Sequence, residues 1–187
     1  KTQGYKDVKV SYDVEYFSSN KVEINFKVKE GKKYYFSNMQ INNNLTEEEK
    51  INNDLELLIE KTSIEGQHYN FEKIDDLEIE IADILEISGE QFFQINTYEK
   101  IVDNNADILF EIQKTNVSYI NQINISGNTR TYDYVIRREL DVSEGDPINE
   151  TKIKKIKRQL NQLPFFSNTD LEQISIKDDL DDLNINV

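Results

Sequence analysis

The sequence predicts an α+β chain of tandem βααββ modules. Three observations predict it. Alternating apolar strands recur down the chain, amphipathic helical stripes lie between the recurrences, and Glu-Gly or Asn pairs punctuate them at matching places. Ile24, Phe26 and Val28 recur as Ile108, Phe110 and Ile112. At the same offset, Phe36, Met39 and Ile41 match Ile120, Ile123 and Ile125, and Asn44 matches Asn128. Glu65-Gly66 and Asn70 answer to Glu144-Gly145 and Asn149, and Phe92-Phe93 to Phe165-Phe166.

The last unit is the most legible. Tyr119 to Ser126 alternates and reads as a strand. Gly127-Asn128 turns the chain, because glycine and asparagine tolerate positive φ best. Thr131 followed by Asp133 reads as the cap of a helix through Leu140, with Val135, Ile136 and Leu140 inward. Glu144-Gly145-Asp146-Pro147 breaks it. A second helix starts at Asn149 and buries Ile153, Ile156, Leu160 and Leu163, until Pro164 stops it. Phe165-Phe166 enters a strand ending near Lys177. Asp178-Asp179 turns, and Leu183 to Val187 returns as its hairpin partner.

The preceding unit repeats this from Tyr34 to Lys114. Its helices span Glu47 to Lys61 and Phe71 to Ile87, the second striped by Phe71, Ile74, Leu77, Ile81, Ile84 and Leu85. The opening segment, Gly4 to Glu30, supplies only a closing hairpin. Three segments result: residues 1–31, 32–115 and 116–187. The linkers Gly31-Lys32-Lys33 and Thr115-Asn116-Val117 are short, so successive units are restrained.

Composition narrows the function. The chain has 22 Lys and Arg against 36 Asp and Glu, a net charge of −14. A general nucleic-acid binder needs a basic face instead. There is no cysteine, which excludes disulfides and thiolate zinc sites. The start at Lys1-Thr2-Gln3, without an initiator Met, reads as an excised fragment.

Catalytic signals are weak. His68, the one histidine, sits in a turn beside Gly66 and reads as an exposed loop residue. Asp75, Asp76, Glu78 and Glu80 cluster opposite the apolar stripe of their helix and are expected to be largely solvated. Asp178, Asp179, Asp181 and Asp182 lack calcium-loop spacing and read as a charged hairpin turn.

The binding reading has a mechanism. A three-stranded sheet has two edges whose unpaired N–H and C=O groups can accept an extended peptide. The charged triplet Arg137, Arg138 and Glu139 is the other candidate, with Glu144 the first choice for a partner contact.

Gly127-Asn128, Arg137-Arg138-Glu139, Glu144-Gly145 and Leu163-Pro164-Phe165-Phe166 together resemble the signature of the POTRA (polypeptide-transport-associated) module, in the form carried by the BamA type of the Omp85 family. Pro164 stands where that family commonly has glycine, and the middle unit has Asn43-Asn44 for Gly-Asn. The resemblance implies the end of module 3 followed by modules 4 and 5. It implies a third strand at the centre of each sheet and a second strand at an edge, here Asp7–Tyr16, Phe92–Tyr98 and Asn168–Ile176. Phe92, Gln94, Asn96, Thr169, Leu171 and Gln173 are the candidate pairing residues. It further implies a non-enzymatic scaffold without cofactors on the periplasmic face of a Gram-negative outer membrane. Accessory lipoproteins, nascent outer-membrane proteins and periplasmic chaperones are the implied partners. Other readings are another Omp85 relative (TamA-like, or a two-partner secretion transporter), a division-site POTRA protein, or a small acidic enzyme.

Overall fold

Alternation along the strands and two-turn stripes along the helices give three separate sheets in this computed structural model, which describes residues 3–18, 21–62, 64–164, 166 and 169–187. Phe165 and Asn168, placed above at the entry and edge of the last hairpin, lie outside the described residues.

The first sheet is a bare antiparallel hairpin, β1 (Lys9–Ser18) on β2 (Lys21–Lys29). Its register sets Val10 against Val28, Tyr12 against Phe26, Val14 against Ile24 and Tyr16 against Val22. One face is therefore apolar throughout, and most of it is open to solvent: Tyr12 and Phe26 are each 66% exposed. Lys9, Ser11, Asp13 and Glu15 occupy the other face of β1.

The second sheet joins β3 (Tyr35–Asn43), β4 (Phe93–Val102) and β5 (Asn105–Lys114) in the order β3-β5-β4, with α1 (Glu49–Thr62) and α2 (Phe71–Ile87) intervening in sequence. The third joins β6 (Tyr119–Ser126), β7 (Asp170–Lys177) and β8 (Leu180–Asn186) in the order β6-β8-β7, with α3 (Asp133–Arg137) and α4 (Glu150–Gln162). In both, the last strand is central, parallel to the first and antiparallel to the second. These are two βααββ units of mixed sheet. Each has its own core. Phe36, Phe93, Phe110, Ile81 and Leu85 anchor one, and Ile120, Ile136, Ile156, Leu160 and Ile185 the other.

The helix starts follow their capping residues. Asn70 accepts from the Glu72 amide at 2.9 Å, and Asn149 from the Lys152 amide at 2.8 Å. The helix expected through Leu140 is shorter. Beyond Arg137 the bonds tighten to Glu139 N–H on Ile136 and Leu140 N–H on Arg137, a 3₁₀-like turn that still buries Leu140. Its N-cap is Tyr132, without a side-chain bond, because Asn128 holds the Thr131 carbonyl and neither Thr131 nor Asp133 caps.

The acids of α2 are a correction. Glu78 is 4% exposed, not solvated. One carboxylate oxygen accepts from the Thr97 hydroxyl and the other from Lys154 at 2.5 Å. Asp76 pairs with Arg158, and Asp83 pairs with Lys155 at 2.8 Å. The cause is α4 of the following unit, which lies against α2. A single helix's stripe carries no information about a helix in another unit.

Asp181 is the other correction. It belongs to the acidic hairpin in sequence but is buried, accepting from the Ser118 hydroxyl and the Gln173 amide. Burial raises its pKa, and these two bonds with a third from Ser175 outweigh that, holding the carboxyl below the ordinary value.

Candidate binding edges

Each first strand has the start of its outer edge closed by the chain itself. In the last unit, Gly145 N–H donates to the Ile120 carbonyl at 2.7 Å, and Ile120 N–H donates to Asp146 at 2.9 Å. The middle unit repeats this with Gly66 N–H on Phe36 and Phe36 N–H on Gln67. Gly66 and Gly145 have φ of 75° and 95°, which explains the glycine after glutamate at both places.

In the last unit, side chains extend the closure. Glu144 accepts from the Ile123 amide at 3.2 Å, and Arg137 donates to the Ile123 carbonyl at 2.6 Å. The two also bond each other at 3.1 Å. The Asp133 carboxylate at 2.7 Å, followed by Glu144, holds the Arg137 guanidinium above its usual pKa against some desolvation. Arg137 and Glu144 thus do for Ile123 what a neighbouring strand would do. Arg138 pairs with its neighbour Glu139 at 2.8 Å and points largely into solvent. The four residues share one region, but two of them are committed to the chain's own β6 edge.

The second strands, β4 and β7, are the other edges. Ladder phase decides which main-chain groups face outward. Thr115 N–H donates to the Phe92 carbonyl, so Phe92, Gln94 and Asn96 turn their main-chain groups inward to β5. The outward groups belong to Phe93, Ile95 and Thr97, one position from the expected set. The helix α4 also packs against β4, and Asn149 reaches the Gln91 carbonyl at 3.4 Å.

In the last unit the phase is the reverse relative to the expected set. Val187 N–H donates to Ser126, which turns alternate β8 residues toward β6 and sets Leu171 and Gln173 outward on β7. Thr169 precedes the strand and is 1% exposed. Ile174 and Ile176 are exposed on the solvent side of the same strand. His68 is exposed, its ring 5.0 Å from that of Tyr35. Among the described residues, no cluster of three metal-ligating side chains forms and no helix is long and apolar enough to cross a membrane.

Residues 118–187 match the family model described as "POTRA: Surface antigen variable number repeat". The chain is 30% identical over 176 residues to the outer membrane protein assembly factor BamA of Neorickettsia risticii, covering 93% of this chain and 23% of that protein. It is 26% identical over 191 residues to the BamA of Nitratidesulfovibrio vulgaris, covering 98% and 24%. The chain therefore spans about a quarter of the length of these relatives. A crystal structure of Haemophilus influenzae BamA POTRA3-5 shares the fold, with a TM-score of 0.54 and 22% identity, covering 100% of this chain and 74% of that one. With the paired βααββ units and the Glu-Gly turn at the start of each first strand, these findings give the chain the fold of tandem POTRA modules, with residues 118–187 matching the POTRA model itself and most of the chain similar to BamA of the Omp85 family.

Proposed function

We propose that this chain is the membrane-proximal part of a periplasmic POTRA arm in a BamA-type assembly factor. Its role is to receive accessory lipoproteins and unfolded outer-membrane proteins. In this reading β1–β2 closes module 3, and the two complete units are modules 4 and 5. The arm acts by holding partners and needs no cofactor.

The observation that carries the reading is the asymmetry of the edges. The start of each first strand is closed by its own Glu-Gly turn, whereas β7 keeps the main-chain groups of Gln173 and the Leu171 carbonyl outward on its edge, the Leu171 amide being held by the neighbouring Asp170 carboxylate at 3.0 Å. Main-chain pairing tolerates many sequences, which suits a receptor for varied clients. Arg138, exposed, and its half-buried partner Glu139, beside the Arg137–Glu144 bracket, are the lipoprotein contact in this proposal. Glu144 contributes by holding that surface in place.

Two experiments test it. In an NMR titration with a peptide from an outer-membrane β-strand, the amides of Leu171 and Gln173 shift before those of β6. Shifts confined to β6 would remove β7 from the role. In a lipoprotein pulldown, Arg138→Glu and Glu144→Lys both reduce capture. Full capture by Arg138→Glu would detach that surface from the partner.

A further inference from the structure

Helices α2 and α4, one from each of the two complete units, meet at the joint between them, and the helices have opposite charge. Seven carboxylates face one lysine in the composition of α2; five cations face one glutamate in α4. The helices run antiparallel, because Asp76 meets Arg158 at one end and Glu86 meets Lys152 at the other, at 3.8 Å. Between them lie Glu78 with Lys154 and Asp83 with Lys155.

The apolar cores do not cross this line. Ile74, Leu77, Ile81 and Leu85 of α2 point into one core, and Ile156 and Leu160 of α4 into the other. Beside the linker a second contact joins the units: the Phe92 and Tyr119 rings meet edge to face at 5.9 Å. The joint thus has, near the linker, this aromatic contact, the packing of α4 on β4 and the Asn149 bond to the Gln91 carbonyl, and a row of ion pairs between the helices.

We propose that the α2–α4 row is an electrostatic strut that sets the angle between the two units and yields to ionic strength. Single exposed ion pairs hold little. This row has a different character, because Glu78 is 4% exposed and bonded on both oxygens, and four pairs share one register. With the strut screened, the short linker and the Phe92–Tyr119 contact act as a pivot. The inference stands whether or not the chain receives outer-membrane proteins.

The chain has no cysteine, so spin labels can be placed cleanly. Nitroxides at Asn53→Cys on α1 and Glu172→Cys on β7, both exposed sites, report the inter-unit distance by pulsed electron resonance. The distribution is narrow at low salt and broadens about twofold or more near ~1 M NaCl, where the screening length falls to ~3 Å. Asp83→Lys broadens it at low salt, and Asp83→Lys with Lys155→Asp restores it. Circular dichroism checks that the units stay folded, and the salt series on the parent chain stands without any variant. A width unchanged by salt overturns the proposal. So does salt broadening that Asp83→Lys fails to reproduce, because salt would then be acting elsewhere.

Discussion

Arg137 and Glu144 bracket one residue: the guanidinium takes the Ile123 carbonyl, the carboxylate takes the Ile123 amide, and the two bond each other. The bracket predicts a local effect. Glu144→Gln keeps the shape and loses the charge-assisted bonds, so native-state hydrogen exchange at the Ile123 amide accelerates while the β8 amides keep their protection. The cost to global stability is about 1 kcal/mol or less, as for a largely exposed pair. Unchanged exchange at Ile123 would show that the bracket holds nothing.

Asp181 ties β8 to Ser118 and to Gln173 on β7. Its depressed pKa means that the folded state favours the carboxylate. The stability it contributes is present above the ordinary Asp value of 3.8 and is lost as pH falls through the lower folded value. Asp181→Asn costs about 1–3 kcal/mol at neutral pH in urea titrations. The difference from the parent shrinks in acid.

Asp75 has the opposite sign. Burial first, then the Glu78 charge, raise its pKa, although Lys154 and Arg158 oppose them. A raised carboxyl binds its proton more tightly in the folded state, so its ionisation weakens the fold as pH rises through the shifted value. Asp75→Asn therefore raises the melting temperature at pH 7, and the gain disappears below 3.8. A lower melting temperature at pH 7 would refute the assignment.

Gly127 is fixed by space as well as by angle. Its φ is 81°, and a Cβ there would stand 2.2 Å from the Val187 carbonyl oxygen. Gly127→Ala costs more than the ~1 kcal/mol of an ordinary positive-φ replacement, because the end of β8 must shift. Thermal unfolding measures this, and Gly89→Ala, with nothing within 4 Å, is the control for the angle alone.

The apolar face of β1–β2 makes a different prediction. Tyr12 and Phe26 face each other with ring centroids 6.3 Å apart and nothing over them. Phe26→Asp lowers binding of a hydrophobic dye and leaves the unfolding transition of the two complete units in place.

The modules were legible because their signals are local. Glycine turns, asparagine caps and strand alternation each act within a few residues, and the apolar stripes sort themselves to one core per unit. The acids of α2 were not legible in the same way. Their partners lie on α4, some seventy or more residues onward in the sequence, for example Lys154 for Glu78. Opposite charge on two otherwise equivalent helices was the available signal.

The phase of the β4 edge was also recoverable in principle. Asp103 and Asn104 form a two-residue turn, with Asp103 at φ 55°. Such a turn makes Val102 and Asn105 a bonded pair, and counting back turns Asn96, Gln94 and Phe92 inward. The role of Arg137 and Glu144 on Ile123 depended on where a loop folds back, which no local pattern encodes.

The opposite signs of α2 and α4 have a consequence for how such a chain can be rearranged. A unit ending in an acidic second helix accepts a basic one after it and repels a copy of itself. Duplicating the middle unit would set carboxylates against carboxylates along the full seam. The choice of neighbour is therefore written into the charge of each unit, and recombination that sets two copies of one unit side by side would meet a physical barrier even where every unit folds.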